Sequence, residues 1–140
     1  SRDHARIDMR DYLGEIAAGA LESHEGARGR IGLDLDCDEI ALDIDRAIPL
    51  GLVLTEALSN ACKHAFPGDR RGKVYVRLEG LEDGGFRFGV EDDGVGPGED
   101  PRTGSPSSLG LGLVEALAAQ LGAELRKGKG GRGGFAVELE

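Results

Sequence analysis

The chain has 140 residues, 26 acidic against 17 basic for a formal net charge of −9, with 24 glycines, two cysteines and no tryptophan. That length holds one domain with one sizeable core, and glycine well above its usual share of about 7%, without a G-X-Y period, asks for unusual backbone freedom and excludes a collagen-like chain. The acidic balance and the lack of a basic block argue against nucleic acid as a partner, and no apolar stretch reaches the roughly 18 residues of a membrane span.

No signal peptide is evident, so the chain reads as cytosolic, and its abrupt start at Ser1 reads as a piece excised from something longer. Met9, Tyr12, Leu13, Ile16, Ala17, Ala20 and Leu21 recur at helical spacing between Asp8 and His24 and predict an amphipathic first helix. Ile31 to Asp36 and Ala41 to Ile44 alternate around a short acidic turn and predict a β-hairpin. Asp45 is the expected N-cap of a long helix reaching about Ala65, with Pro49 tolerated in its first turn, and Phe66-Pro67-Gly68-Asp69 stops it. Lys73 to Glu79 and Phe86 to Glu91 alternate on either side of a Gly-rich turn and predict antiparallel neighbours. Almost nothing is apolar from Asp92 to Ser108, about 17 residues of expected loop where about 4–6 are usual. Leu109 to Leu121 is the third helix, ended by Gly122, and Ala123 to Lys127 and Phe135 to Leu139 are the last strands, joined by a glycine-rich turn. This order predicts an α+β two-layer sandwich, a mixed or antiparallel sheet covered on one face by three helices. Cys37 and Cys62 fall in different elements at no redox or zinc spacing and read as buried free thiols.

Three motifs carry chemistry. In the long middle helix, Glu56, Asn60, Lys63 and His64 span about 100° of the circumference at about 100° per residue. This polar stripe borders the apolar arc of Leu50, Leu54, Ala57, Leu58, Ala61 and Ala65. It is either an ordinary solvated side or a site. Asn60, unhelpful in mid-helix, sits between a carboxylate and two potential cations and offers an amide oxygen suited to a hard cation such as Mg²⁺. Asp92-Asp93-Gly94-Val95-Gly96 lies where a strand runs out into the long loop. It is either a structural turn or a place where glycines admit a ligand while a carboxylate accepts from an exocyclic amine. Gly110-Leu111-Gly112-Leu113 opens the third helix, whose unpaired N–H groups and positive dipole end can cradle phosphate. It is neither a Walker loop nor a dinucleotide fingerprint. Gly128-Lys129-Gly130-Gly131-Arg132-Gly133 matches that fingerprint by letter but lies between two strands, and reads as a turn without a function.

In this order and on these elements, the three motifs resemble those of the ATP-binding catalytic domain of bacterial sensor histidine kinases, within the superfamily that also holds gyrase, the heat-shock-ninety chaperones and MutL. Glu56-x-x-x-Asn60-x-x-Lys63-His64-Ala65 is similar to the N box, Asp92-x-Gly94-x-Gly96 to the G1 box and Gly110-x-Gly112-Leu113 to the G2 box. The resemblance runs from about Arg10 to the C-terminus. Pro49-Leu50-Gly51-Leu52 and Lys63-His64-Ala65-Phe66-Pro67 most resemble the subfamily with the second type of dimerisation and phosphoacceptor domain. The resemblance implies an ATP- and Mg²⁺-dependent histidine kinase. Asn60 would hold the metal, Glu56 would act near the γ-phosphate as base or polariser, and Lys63 and His64 would meet phosphate oxygens. Asp92 would accept from the adenine amine, Gly94 and Gly96 would let the base approach, and the Gly110-Leu111-Gly112-Leu113 segment would bind the phosphates. Residues 97–108 would be an ATP lid and residues 1–9 a linker remnant of a single domain spanning 1–140. Implied partners are a phosphoacceptor and dimerisation domain of the same full-length protein and a downstream response regulator, with this domain alone monomeric. The whole would be cytoplasmic or the cytosolic part of a membrane-anchored sensor.

Three departures stand against the pattern. No F box with its phenylalanine lies between Gly96 and Gly110, and Arg132-Gly133-Gly134-Phe135 lacks the Thr or Ser that often precedes the last strand. No His followed by Lys-Asn marks a phosphoacceptor helix, and His4 and His24 read as surface residues. The chain is expected to bind ATP and to find its substrate elsewhere. The alternatives are an anti-sigma-factor Ser/Thr kinase of the same superfamily and a degenerate nucleotide-binding module; the intact Glu56, Asn60 and Asp92 argue against the latter.

Overall fold

The computed structural model describes residues 5–96 and 108–140, with the backbone alone at 108–111. Residues 97–107 of the expected lid and His4 lie outside the described residues, and Ser108, the lid's last expected residue, begins the third helix. In chain order the elements are β1 (Arg6–Asp8), α1 (Met9–Ser23), β2 (Ile31–Cys37), β3 (Ala41–Asp43), α2 (Ile44–Asn60), β4 (Gly72–Gly80), β5 (Phe86–Asp92), α3 (Ser108–Leu121), β6 (Leu125–Lys129) and β7 (Phe135–Leu139). A short 3₁₀ turn (Glu25–Ala27) follows α1, and a π-helical turn (Ala61–Ala65) continues α2.

The sheet runs β2-β4-β5-β7-β6, with β2 parallel to β4 and the other pairs antiparallel. It is the mixed sheet of the expected α+β sandwich. Side chains alternate between its faces, so Val74, Val76 and Leu78 of β4, Phe86, Phe88 and Val90 of β5, and Val137 and Leu139 of β7 are buried. They share one core with Met9, Leu13 and Ala17 of α1, Leu50, Val53, Leu54 and Leu58 of α2, and Val114, Leu117 and Ala118 of α3. Asp92 is the fourth member of the buried row on β5. The intervening residues Tyr75, Arg77, Arg87 and Glu91 line an open polar groove of about 220 Å³ on the other face.

The expected hairpin of residues 31–44 does not form. β2 pairs in parallel with β4, while β3 pairs with β1 in a separate ribbon that sets Arg6 opposite Asp43. The acidic turn between them is tied to β4 instead: Asp38 donates its N–H to Leu78 O at 2.9 Å and accepts from the Gly80 N–H at 2.9 Å. Alternation marks a strand but carries no information about its partner, and the long-range pairing with β4 prevails. Residues 6–8, expected within a linker, therefore belong to the fold.

The cap of α2 also moves. Asp43, with φ −69° and ψ 166°, accepts from the Arg46 N–H at 3.2 Å, so Asp43 and not Asp45 is the N-cap. Pro49 then sits in the second turn, buried, where its missing N–H removes one intrahelical bond. Asp8 caps α1 through the N–H groups of Arg10 and Asp11. Gly122, at φ +68°, ends α3 as expected, its N–H donating to Ala119 O and that of Ala123 to Ala118 O. The last two strands pair as expected, β6 shifted two residues onward. Cys37 is buried and Cys62 half-buried, both free, and burial pushes the Cys37 thiol up to about 11. No helix among the described residues is long and apolar enough to cross a membrane.

Replacing Asp43 with Ala is expected to lower unfolding free energy by about 1 kcal/mol, while Asp45→Ala, which loses only a favourable charge in the first turn, costs a few tenths, about 0.3 kcal/mol. Urea unfolding measures both, and equal losses would return the cap to Asp45.

Candidate functional site

The N-box residues stand at the end of α2. Glu56 and Asn60 are one turn apart and half-buried. Neither side chain has a hydrogen-bond partner among the described residues, and no fully buried side-chain polar atom there is left unpartnered. Beyond Asn60 the chain widens into the π-helical turn, carrying Lys63 and His64 fully outward. A π turn closes i→i+5 bonds and often marks functional sites. The narrow arc expected for an unbroken α-helix thus holds for Glu56 and Asn60, and Lys63 and His64 are displaced from it. Both lie in the last turn of the helix, where the dipole favours positive charge.

Asp92 ends β5 at 5% exposure. Its Oδ1 accepts from the N–H groups of Gly94 at 2.9 Å and Phe135 at 3.3 Å. Burial raises its carboxyl above the ordinary value, the two N–H donors pull it back in part, and the charges of Asp93 and Glu91 push it up further. Asp93 is structural: its Oδ1 accepts from the Lys73 N–H at 2.8 Å. The loop then turns onto the N-box helix, where Val95 donates to Ala65 O at 2.9 Å. A Cβ on Gly94 would collide with the Ala65 carbonyl, and one on Gly96, at φ +83°, would lie 2.5 Å from Gly133 O. The space these glycines leave, expected for a nucleobase, is taken by the protein's own backbone.

The G2 segment lies inside α3, which begins at Ser108. Gly110 falls among the first backbone N–H groups of the helix, the unpaired ones. Leu111, Gly112 and Leu113 follow within the helical ladder, and Gly112 faces open space.

Sequence reasoning missed two contributors. Arg30 donates to the carbonyls of Gly26, Phe66 and Arg70, fixing the segment that leaves the N-box helix; an Arg in a Gly-rich turn gives no signal of this. The β6–β7 turn, read as functionless, closes on the G1 loop. A side chain at Gly134 would occupy the position of the Asp92 carboxylate, which explains why no Thr or Ser stands there. Its run of glycines was the available signal.

Residues 10–134 match the histidine kinase-like ATPase domain. The chain belongs to this family. It is 35% identical over 127 residues to blue-light-activated histidine kinase 2 of Erythrobacter litoralis strain HTCC2594, covering 91% of this chain and 36% of that protein. The histidine kinase domain from the Erythrobacter litoralis EL346 blue-light activated histidine kinase superposes with a TM-score of 0.80 at 34% identity, over 99% of this chain and 63% of that one. Full-length ShkA, solved in complex with AMPPNP, gives a TM-score of 0.66 at 25% identity, over 99% of this chain and 30% of that one. The chain thus spans about a third of the curated relative's length, and its relatives are named sensor histidine kinases.

Two variants test the site. Because the folded-state value of Asp92 lies above the unfolded one, the native state holds the proton more tightly. Its contribution is most favourable at acid pH and declines as pH rises from 3.8 through the raised value. Asp92→Asn is expected to unfold at neutral pH at the wild-type urea midpoint or above it, with the difference vanishing below that window. A less stable variant at neutral pH would mean the carboxylate's main role is structural. Gly94→Ala should cost about 1–3 kcal/mol by overpacking against Ala65, and an unchanged midpoint would show that the loop is free to move away.

Proposed function

We propose that this domain binds Mg²⁺-ATP and passes the γ-phosphoryl group to a histidine on a separate dimerisation and phosphoacceptor domain, in two-component signalling. The observation that carries this reading is the junction of two motifs: the Val95 N–H donates to Ala65 O and Gly94 packs on Ala65. It joins an adenine-reading carboxylate to a helix end bearing an amide, a carboxylate, a lysine and a histidine. The relative solved with AMPPNP supports an adenine nucleotide as the ligand.

The residues fit a magnesium ion held largely by phosphate and water. Asn60 has a carboxamide with no partner among the described residues, and no group of three or more His, Cys, Asp or Glu there could hold a metal by itself. When bound, the ion neutralises phosphate charge. Asp92 orients the base by accepting from its amine, Lys63 and His64 meet phosphate oxygens, and the first N–H groups of α3 add to them. Glu56 takes or polarises the proton of the accepting imidazole. Transfer then rests on positioning and charge, as phosphoryl transfer does in general. Residues 1–140 form one ATP-binding unit. A response regulator takes the phosphoryl group onward, and the reaction lies in the cytoplasm.

Asn60→Ala is expected to weaken Mg²⁺-dependent ATP binding about tenfold or more, read by calorimetry with and without the metal, and to abolish transfer to a supplied phosphoacceptor domain. An unchanged titration with unchanged transfer would remove the metal role. Acid-labile phosphate on the acceptor supports a histidine kinase, and base-labile phosphoserine would replace that reading with a Ser/Thr kinase.

A further inference from the structure

The glycine-rich β6–β7 turn reaches both faces of the sheet. Glu91 and Asp92 are neighbours on β5, so their side chains point to opposite faces. On the open face, Arg132 lays its guanidinium 3.8 Å over the Tyr75 ring of β4. Its backbone N–H donates to Glu91 Oε2 at 2.9 Å, and its Nε lies 4.0 Å from Glu91 Oε1. The fit is close: a Cβ on Gly130 would lie 2.5 Å from the same Oε2. On the helix-covered face, two residues later, Gly134 packs on Asp92 and the Phe135 N–H donates to Asp92 Oδ1. Gly133 O abuts Gly96 at the same place. Within the turn, Gly130 donates to Gly134 O at 2.8 Å and Gly133 to Gly130 O at 3.1 Å, so both ends move together.

We infer that Arg132, clamped between Tyr75 and Glu91 on the open face, is a positioning residue that fixes the Asp92 carboxylate for reading adenine on the other. This rests on the role given to Asp92 above. Asp92 Oδ1 has two donors among the described residues. That of Gly94 belongs to its own loop and travels with it, whereas that of Phe135 comes from the first residue of β7, held by the turn and by its pairing with β6. The clamp therefore controls the one donor that ties the carboxylate to a different strand. It is 44% exposed at Arg132 and contributes little apolar burial, so its effect on geometry exceeds its effect on stability.

The test uses Arg132→Ala, Tyr75→Ala, their double variant and Tyr75→Phe. Two quantities are read: amide hydrogen exchange at Phe135 without nucleotide, and the ratio of ATP to GTP affinity. Both single alanine variants should speed exchange at Phe135. Each should lower the ATP-to-GTP ratio about two- to fivefold, the scale of one exposed cation–π pair. The double variant should be no worse than either single, and Tyr75→Phe, which keeps the ring, should match wild type. Unchanged exchange at Phe135 in both alanine variants overturns the clamp. Faster exchange with an unchanged ratio, or with equal losses for both nucleotides, overturns the specificity role. A wild-type protein without preference for ATP would remove the adenine role of Asp92 and this role with it, and the exchange data would then report the latch alone.

Discussion

One buried carboxylate organises this molecule. Asp92 continues the row of Phe86, Phe88 and Val90 into the core, where the sheet's alternation would otherwise place another apolar side chain. An ionised group taken out of water must be met by donors or shift its protonation. The two N–H groups that meet it both lie later in the chain, Gly94 two residues on and Phe135 on the last strand. Both approaches are so close that Cβ atoms on Gly94 and Gly134 would collide with Ala65 and with Asp92 itself. The carboxylate is thus built in from both sides before any ligand arrives, a preorganised acceptor at the rim of the core.

The end of the N-box helix is shaped by the same loop. The π turn at Ala61–Ala65 follows an ordinary α-helix, and the Ala65 carbonyl is the one that Val95 takes up. A helix end leaves its last carbonyls without intrahelical partners, and here the loop that follows β5 supplies one. Arg30 supplies another at Phe66 O. The end of the helix and the loop that follows the strand's carboxylate are consequently tied to each other by the main-chain bond from Val95 to Ala65.

Much of this was legible in the sequence where the deciding contacts are local. The pairs β4–β5 and β6–β7 were readable because a short Gly-rich turn joins each, and Gly122 announced the end of α3. The partner of β2 was not, because Asp38 and Gly80 meet across 42 residues and nothing in Ile31–Cys37 encodes that meeting. The cap of α2 was misplaced by two residues because Asp43 and Asp45 offer the same chemistry, and only β3 ending at Asp43 separates them. At the site, the residue types were visible and their reasons were not. Gly94, Gly96 and Gly134 looked like room for a ligand or like nothing, and each proves to be a contact between backbone segments, a property of pairs of positions far apart in the chain.

The net charge of −9 poses a question for a domain proposed to hold a polyanion. Its answer lies in where the acidic groups sit. Asp34, Asp36 and Glu138 line the open face, together with Arg77, Arg87 and Arg132, and Glu79 and Glu140 are both engaged by Arg87. The sheet stands between these charges and the helix-covered side, and beyond about 8–10 Å solvent ions screen them at physiological salt. What a phosphate at the N-box end would meet is local: the outward Lys63 and His64, and the first N–H groups of α3. Glu56, which has no ion-pair partner among the described residues, is the acid whose negative charge the phosphoryl-transfer reading requires. The global charge then governs solubility and encounter, and the local arrangement governs which anion stays.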